Sequence, residues 1–323
     1  MLLENHTNAP AILQCADLDT EDRYAVVIWK LTYDLPDAPE FEPWMLSTDP
    51  MPITGDPVET DFGNFHGDIF LRKQGVDLCV LGHLRRTHPV TRTSVTLRCG
   101  EFVHTLSVTG DRIWEHAGGD RLVPSRPAPF TTMNLSCARS FGGAAEYEGM
   151  FVPFQDNPIG IGYYLQLSEA FGRSLPNIEA ATSAPIRQWD DKPTPAGWGP
   201  YPMNWGLRAR AGITLHPTLN LISSISPSVY NNAHPDLVVP AVEFGDRIEL
   251  LGVYDHPIGF SLPQTSGNLR VRVGDHAFDV PMLVDGVYIW LDAKRVVVTQ
   301  RANFHYLVQP GQVRVATLTA HHG

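Results

Sequence analysis

The chain carries thirteen histidines. Imidazole is both the commonest metal ligand and a general base near neutral pH, so their spacing is the first thing to test. His83 and His88 flank a loop, His66 sits in NFHGDIF, His104 falls on a strand, and His321 and His322 lie at the tail. None belongs to an HExxH motif or to an HxH with a carboxylate at metal spacing. They read as single solvated or hydrogen-bonded side chains, and no metal is expected. A serine hydrolase would need GxSxG on a strand-turn-helix, and the pattern is absent. Ser140, in ARSFGG, is the nearest serine in a glycine-rich turn, but no helix is expected after it. Asp68, Asp111, Glu146, Glu148, Glu179 and Asp190 offer carboxylates for glycoside hydrolysis, which requires two facing across a cleft. One sequence does not pair them. Gly142-Gly143 and Gly160-x-Gly162 are followed by neither Lys-Ser/Thr nor a clear helix, so a phosphate-cradling loop is not expected. No catalytic residue and no cofactor is assigned.

Aromatic and arginine side chains remain. Trp114, Trp189, Trp198 and Trp205 fit either a sugar-binding platform or loop anchors inside a β-rich core, and the second reading is preferred. Arg112, Arg139 and Arg173 stand in largely uncharged surroundings. A guanidinium offers five donors in a fixed fork, so each can satisfy backbone carbonyls that no ladder reaches, or hold a ligand. Asn157 before Pro158 and Asn177 before Ile178 read as turn formers.

These residues fall on one stretch, Gly110 to Trp205, which is dense in Gly, Pro, Asn and aromatics and poor in periodicity. It is too apolar for a disordered linker and is expected to be ordered and irregular. Strands flank it. YAVVIWKLTY (24–33) is one long strand, and the Pro/Asp-rich stretch from Asp34 to about Pro57 is surface loop. Lys73 to Leu84 is a loop feeding a short buried strand. Between Thr91 and Thr109, Val95, Leu97 and Cys99 alternate with Arg92, Ser94, Thr96 and Arg98. Beyond the Gly100 turn, Phe102, Leu106 and Val108 alternate with Val103, Thr105 and Ser107, which makes a hairpin with one apolar face. His104 is the one polar residue on that face. Tyr163 to Ser174 has room for one turn of helix. Ile213 to Ile222 reads as a strand, as do RIELLGV and IGFSLP. Further hairpins turn at Gly274-Asp275 and Asp292-Ala293, and FHYLV and VRVATLTA finish the chain. No helix of clear amphipathic period is present. The expected fold is mainly β, with little helix. Two antiparallel sandwich- or barrel-like modules, 1–125 and 211–323, are joined by a long ordered irregular segment, 126–210.

Composition narrows the function. The 323 residues are 43% apolar, enough for a sizeable core. A formal charge of −11 argues against nucleic acid as a partner. No apolar run reaches 18 residues, so no membrane span is expected. MLLENHTNAP lacks the basic start and apolar centre of a signal peptide. Cys15, Cys79, Cys99 and Cys137 lie far apart without CxxC spacing and are expected as reduced, buried thiols of a cytoplasmic protein.

The ordered blocks GDRIW (110–114), PFTTMNL with RSFGG (129–143), NPIGIGY (157–163), LPNIE (175–179) and PAGWGPYPMNW (195–205) resemble those of a bacterial family, domain of unknown function two-one-six-nine. Lys73, Asp77-Leu78 and Gly82 are similar to its K…DV-type strand and following glycine, and YNNAHPD (230–236) to its FNAAPPD block. FGDRIELLGV and VYIWLDAKRVVV match its C-terminal part. Ser140 stands where the family usually has Ala, and Trp198 where it usually has Phe. Between Trp205 and Tyr230 the chain looks shorter than the family pattern. The resemblance implies an adaptor or co-chaperone of type VI secretion that helps load an effector onto the VgrG/PAAR spike. Its implied partners are the effector, spike proteins or a second adaptor. It implies no catalytic residues. Arg92, Arg98, Arg112, Trp114, Arg139, Trp198 and Trp205 are the candidate partner-binding residues. The alternative from another class is a carbohydrate- or cell-wall-directed hydrolase or binding protein, built around Glu146, Glu179 or Asp190.

Overall fold

The computed structural model describes residues 1–18, 21–37, 44–219 and 221–322. The β-branched run at 24–33 forms the middle of a long strand, Asp22–Asp34. Side chains alternate across a strand, and here both faces are covered. Ala25, Val27, Trp29, Leu31 and Tyr33 enter the main core. Val26, Ile28, Lys30 and Thr32 are buried on the other face. The chain after Trp44 covers that second face. The Met51 amide donates to the Thr32 hydroxyl (2.9 Å), and Lys30 Nζ donates to the Pro52 carbonyl (3.0 Å). The stretch expected as surface loop therefore packs on the sheet here, while residues 38–43 lie outside the described residues.

Asp22–Asp34 sits inside a seven-stranded sheet. The path runs Ala11–Asp17, Asp22–Asp34, Arg295–Leu307, Leu283–Trp290, Val76–Leu81, Val238–Val239, with Met45–Leu46 also paired to Asp22–Asp34. Leu283–Trp290 and Val76–Leu81 are parallel, and the other pairs are antiparallel. Val76–Leu81 is buried throughout, as a strand in the middle of a doubly covered sheet must be. Residues of 1–125 and of 211–323 are thus direct neighbours. The two expected modules share one core, which takes in residues from Ala9 to Leu318 and includes Trp198 from the segment between them. Among the described residues no sheet closes into a barrel.

The hairpin expected at 91–109 forms as Arg92–Cys99 and Phe102–Thr109 in a second, five-stranded sheet with Ile178–Ala180, Arg247–Leu251 and Ile258–Ser261. The expected turn at Gly274-Asp275 joins Thr265–Val273 to His276–Pro281 in a four-stranded sheet with Leu2–Asn5 and Arg314–His322. The single strand expected from Ile213 to Ile222 is instead a short hairpin, Ile213–Leu215 with Ile222–Ile225. His216 Nδ1 accepts the Thr218 and Leu219 amides, and Pro217 has no amide to continue a ladder, so the chain turns. One helical turn, Leu167–Ala170, lies where expected; a second helix, Gly206–Gly212, was not anticipated. All four cysteines are free. Cys79, Cys99 and Cys137 are buried, but Cys15 is exposed on the strand Ala11–Asp17, against expectation. Among the described residues no helix is long and apolar enough to cross a membrane.

Candidate functional site

The irregular segment is ordered because its polar side chains take over the pairing that a ladder would supply. GDRIW and LPNIE interlock. Asn177 Nδ2 donates to Asp111 Oδ1 and to the Thr109 carbonyl, both at 3.0 Å. Arg112 donates to the Pro176 carbonyl (2.7 Å) and to Glu179 Oε1 (3.0 Å). RSFGG and NPIGIG interlock in the same way, through Asn157. It is wholly buried and donates to the carbonyls of Cys137 (2.7 Å) and Phe141 (3.0 Å). Gly142, at φ +150°, leaves room for this contact, since a Cβ there would lie 2.1 Å from the Asn157 carbonyl oxygen. The Ser140 hydroxyl accepts the Ala196 amide (2.7 Å) and is buried, which gives this serine a fastening role.

The PAGWGP block threads through the centre of the molecule. Trp198 accepts at its carbonyl from the Val80 amide and donates its own amide to the Leu135 carbonyl, both at 2.9 Å. Its indole N–H donates to His104 Nδ1 (3.1 Å). That bond accounts for the one polar residue on the apolar face of the 92–109 hairpin. Trp114 anchors a smaller core with Leu122, Phe141, Ala170, Leu175 and Ile186. Trp205 packs edge-on to Tyr201, with ring centres 4.9 Å apart.

Four of the seven candidate partner-binding residues are therefore internal. Arg112, Trp114, Trp198 and Trp205 are buried, so a partner has no access to them in the folded chain, and each holds the junction together. Arg92, Arg98 and Arg139 are exposed. Arg92 and Arg98 lie on the 92–109 hairpin, with Arg98 3.8 Å from Glu249. Arg139 lies on the short 3-10 turn Cys137–Arg139, 4.0 Å from Asp111. Of the carboxylates considered for hydrolysis, Glu179 is held by Arg112, Glu146 stands on an exposed hairpin, and Asp190 lies in an exposed loop.

A buried ionic network underlies the main sheet. Asp77 pairs with Lys73 (2.7 Å) and accepts from Asn231 Nδ2 (3.0 Å) and from the Asn232 and Ala233 amides (3.0 and 3.1 Å). Asp285 pairs with Arg301 (2.5 Å), lies 3.8 Å from Lys73, and accepts the Thr299 hydroxyl (2.5 Å). Lys30 pairs with Asp68 (2.9 Å). Burial alone would raise both Asp77 and Asp285, but Lys73 reverses the shift, helped by the amides at Asp77 and by Arg301 at Asp285, and both carboxyls lie below the usual range. Burial would lower Lys73, but Asp285 and Asp77 prevail and hold it protonated. A protonated lysine has no lone pair for attack, so this cluster stabilises charge rather than supplying a nucleophile. Burial likewise pushes the Cys99 thiol to about 11 and Cys137 to about 12, far from thiolate chemistry. Among the described residues no group of three or more His, Cys, Asp or Glu is placed to hold a metal ion.

Two surface hairpins expose apolar side chains. The hairpin Ala144–Tyr147 with Met150–Pro153 exposes Tyr147, Met150 and Phe151, the last at 77%. The 213–225 hairpin exposes Leu215, Leu219, Leu221, Ile222 and Ile225. The helix Gly206–Gly212 ties the two together. Its Gly206 amide donates to the Gln155 carbonyl (2.7 Å), Arg210 pairs with Asp156 (2.7 Å), and its last residue runs into Ile213. Of the twenty large apolar side chains that stand exposed among the described residues, eight fall on these two hairpins. Sequence reasoning missed both hairpins. Gly149 at the turn and the spacing of Leu215, Leu219 and Leu221 around Pro217 were the available signals.

A family model described as "Uncharacterized protein conserved in bacteria (DUF2169)" matches residues 20–301. No curated protein and no solved structure matches. The matched range contains every interlocking block described above, and the chain belongs to the DUF2169 family.

Proposed function

We propose that this protein is an adaptor or co-chaperone that binds an effector and helps load it onto the VgrG/PAAR spike of a type VI secretion system. The observation that carries the binding role is the pair of apolar hairpins joined by the helix Gly206–Gly212. Phe151 and Met150 on one, and Leu219, Leu221 and Ile222 on the other, are more than half exposed. Truncating such side chains in an interface costs more than their area alone implies, because water is excluded around them. The hydrogen bonds that fasten the adjoining segments favour binding, since a preorganised surface loses little entropy on docking. The secretion context is what the likeness of the sequence blocks implies.

The test is capture of partners from the native bacterium with the tagged full-length chain. Recovery of an effector, a spike or PAAR protein, or a second adaptor supports the reading when Phe151→Asp or Leu221→Asp abolishes it while the melting temperature stays unchanged. Both positions are exposed, so each substitution should alter stability by less than about 0.5 kcal/mol. Effector export that continues undiminished after deletion of the gene would refute the proposal.

A further inference from the structure

Arg208 sits on the helix Gly206–Gly212 and is buried, with 3% of its surface exposed. Its guanidinium donates to three backbone carbonyls, those of Tyr201 (3.2 Å), Ser228 (2.8 Å) and Ala233. Three of its five donors are so used, one on each nitrogen, which leaves one N–H on each terminal nitrogen. No described carboxylate pairs with it. Asp77 faces the amide side of the same Asn232–Ala233 turn and already pairs with Lys73. Buried cations in folded proteins are ordinarily paired.

Arg208 lines a cleft of about 590 Å³ together with Gln74, Ser228 and Asn231. Its remaining walls include Val238, Val239, Pro235 and Ala211. No carboxylate lines this cleft or its neighbour, which shares Gln74 and Gly75 and adds Arg72 and Lys73. In a chain of net charge −11, Asp77 and Asp285 offset Lys73, and Arg208 and Arg72 remain as local positive charges with no described carboxylate paired to either. A volume of that size takes a few residues of a ligand. The apolar walls and the negative charge of the whole molecule disfavour a polyanion. A single carboxylate beside an aliphatic side chain matches both halves of the cleft.

We propose that this cleft binds the C-terminal carboxylate of a partner protein whose last residue is aliphatic. The inference rests on the adaptor reading only in naming the ligand as a protein. It is tested on the purified full-length chain with fluorescein-labelled hexapeptides ending in valine or leucine. Each is made as the free acid, as the C-terminal amide, and as an amide carrying one internal aspartate. Arg208 also secures the fold, so the variant of choice is Ala211→Glu, at an exposed rim position. The free acid should bind about tenfold or more tightly than either amide, and Ala211→Glu should weaken it by a similar factor. Equal affinity of acid and amide, no binding at all, or displacement by inorganic phosphate as efficient as by unlabelled peptide would overturn the proposal. Binding of the aspartate amide as tightly as the acid would overturn the C-terminal assignment. Loss of hairpin-dependent capture with carboxylate-dependent peptide binding intact would sink the adaptor reading and leave the cleft standing; the reverse pattern would do the opposite.

Discussion

Lowering the pH from 7.5 to 5 should destabilise the folded chain through His234. Its ring is buried, Nδ1 accepts the Asp236 amide at 3.3 Å, and Tyr201 stands edge-on at 5.0 Å. Burial, only partly opposed by Asp236, pushes its pKa from 6.5 down to about 4. The folded value is the lower one, so the unfolded state binds more protons as the pH falls. Stability is therefore full above about 6.5 and is lost on the way down to about 4. The loss amounts to about 2 kcal/mol at pH 5 and levels off at roughly 3 kcal/mol below pH 4. Asp77 and Asp285, whose pKa values are depressed, add their own loss only below the ordinary carboxylate range near 4. The window between is thus left to histidines. His66 is pushed to about 4, chiefly by burial, and His104 moves in the same direction, so the wild-type profile is steeper than His234 alone would make it. His234→Asn keeps an oxygen near the position of Nδ1 to accept the Asp236 amide while removing the proton site. Urea unfolding followed by tryptophan fluorescence at pH 7.5, 6 and 5 should show that the variant loses about 2 kcal/mol less than wild type over that range. Equal losses in the two proteins would refute the reasoning.

Three other outcomes are expected. Asp285→Asn leaves Arg301 and Lys73 with one anion fewer and should cost about 3–5 kcal/mol in urea unfolding at pH 7. Gly142→Ala should cost about 3 kcal/mol or more, because the new methyl meets the Asn157 carbonyl, whereas Gly100→Ala, in open space at φ +56°, should cost about 1 kcal/mol. An aromatic disulfide reagent should titrate one thiol of the native chain quickly, Cys15, and all four only in denaturant. Fast reaction of a second thiol in the native protein would contradict the burial of Cys79, Cys99 and Cys137.

Much of the fold was legible because strand periodicity is a local property. The run 24–33, the 92–109 hairpin and the turns at 274–275 and 292–293 each announce themselves within a dozen residues. Their partners do not. Nothing local tells Asp22–Asp34 that it pairs with Arg295–Leu307, so the shared core of the two ends was invisible. The candidate site was less legible still. A tryptophan in a glycine-rich loop looks the same whether it faces water or, as with Trp198, fills the centre of the protein. Arg112 gave no sign that Glu179 would meet it, and Lys30 and Asp68 lie far apart in sequence. Conversely, the apolar side chains near Phe151 and Leu221 carry ordinary strand patterning and reveal their exposure only once the rest of the chain has declined to cover them.

The pairing of Asp22–Asp34 with Arg295–Leu307 also constrains how the molecule is made. Val296 lies opposite Tyr33, roughly 260 residues away along the chain. During synthesis the first long strand leaves the ribosome well before its neighbour exists, so an apolar edge waits through most of translation. Folding of this kind, dominated by distant contacts, is slow and exposed to aggregation in the interval. A nascent chain arrested before residue 295 should therefore lean on cellular holdases, while one released after Leu307 should close its central sheet unaided.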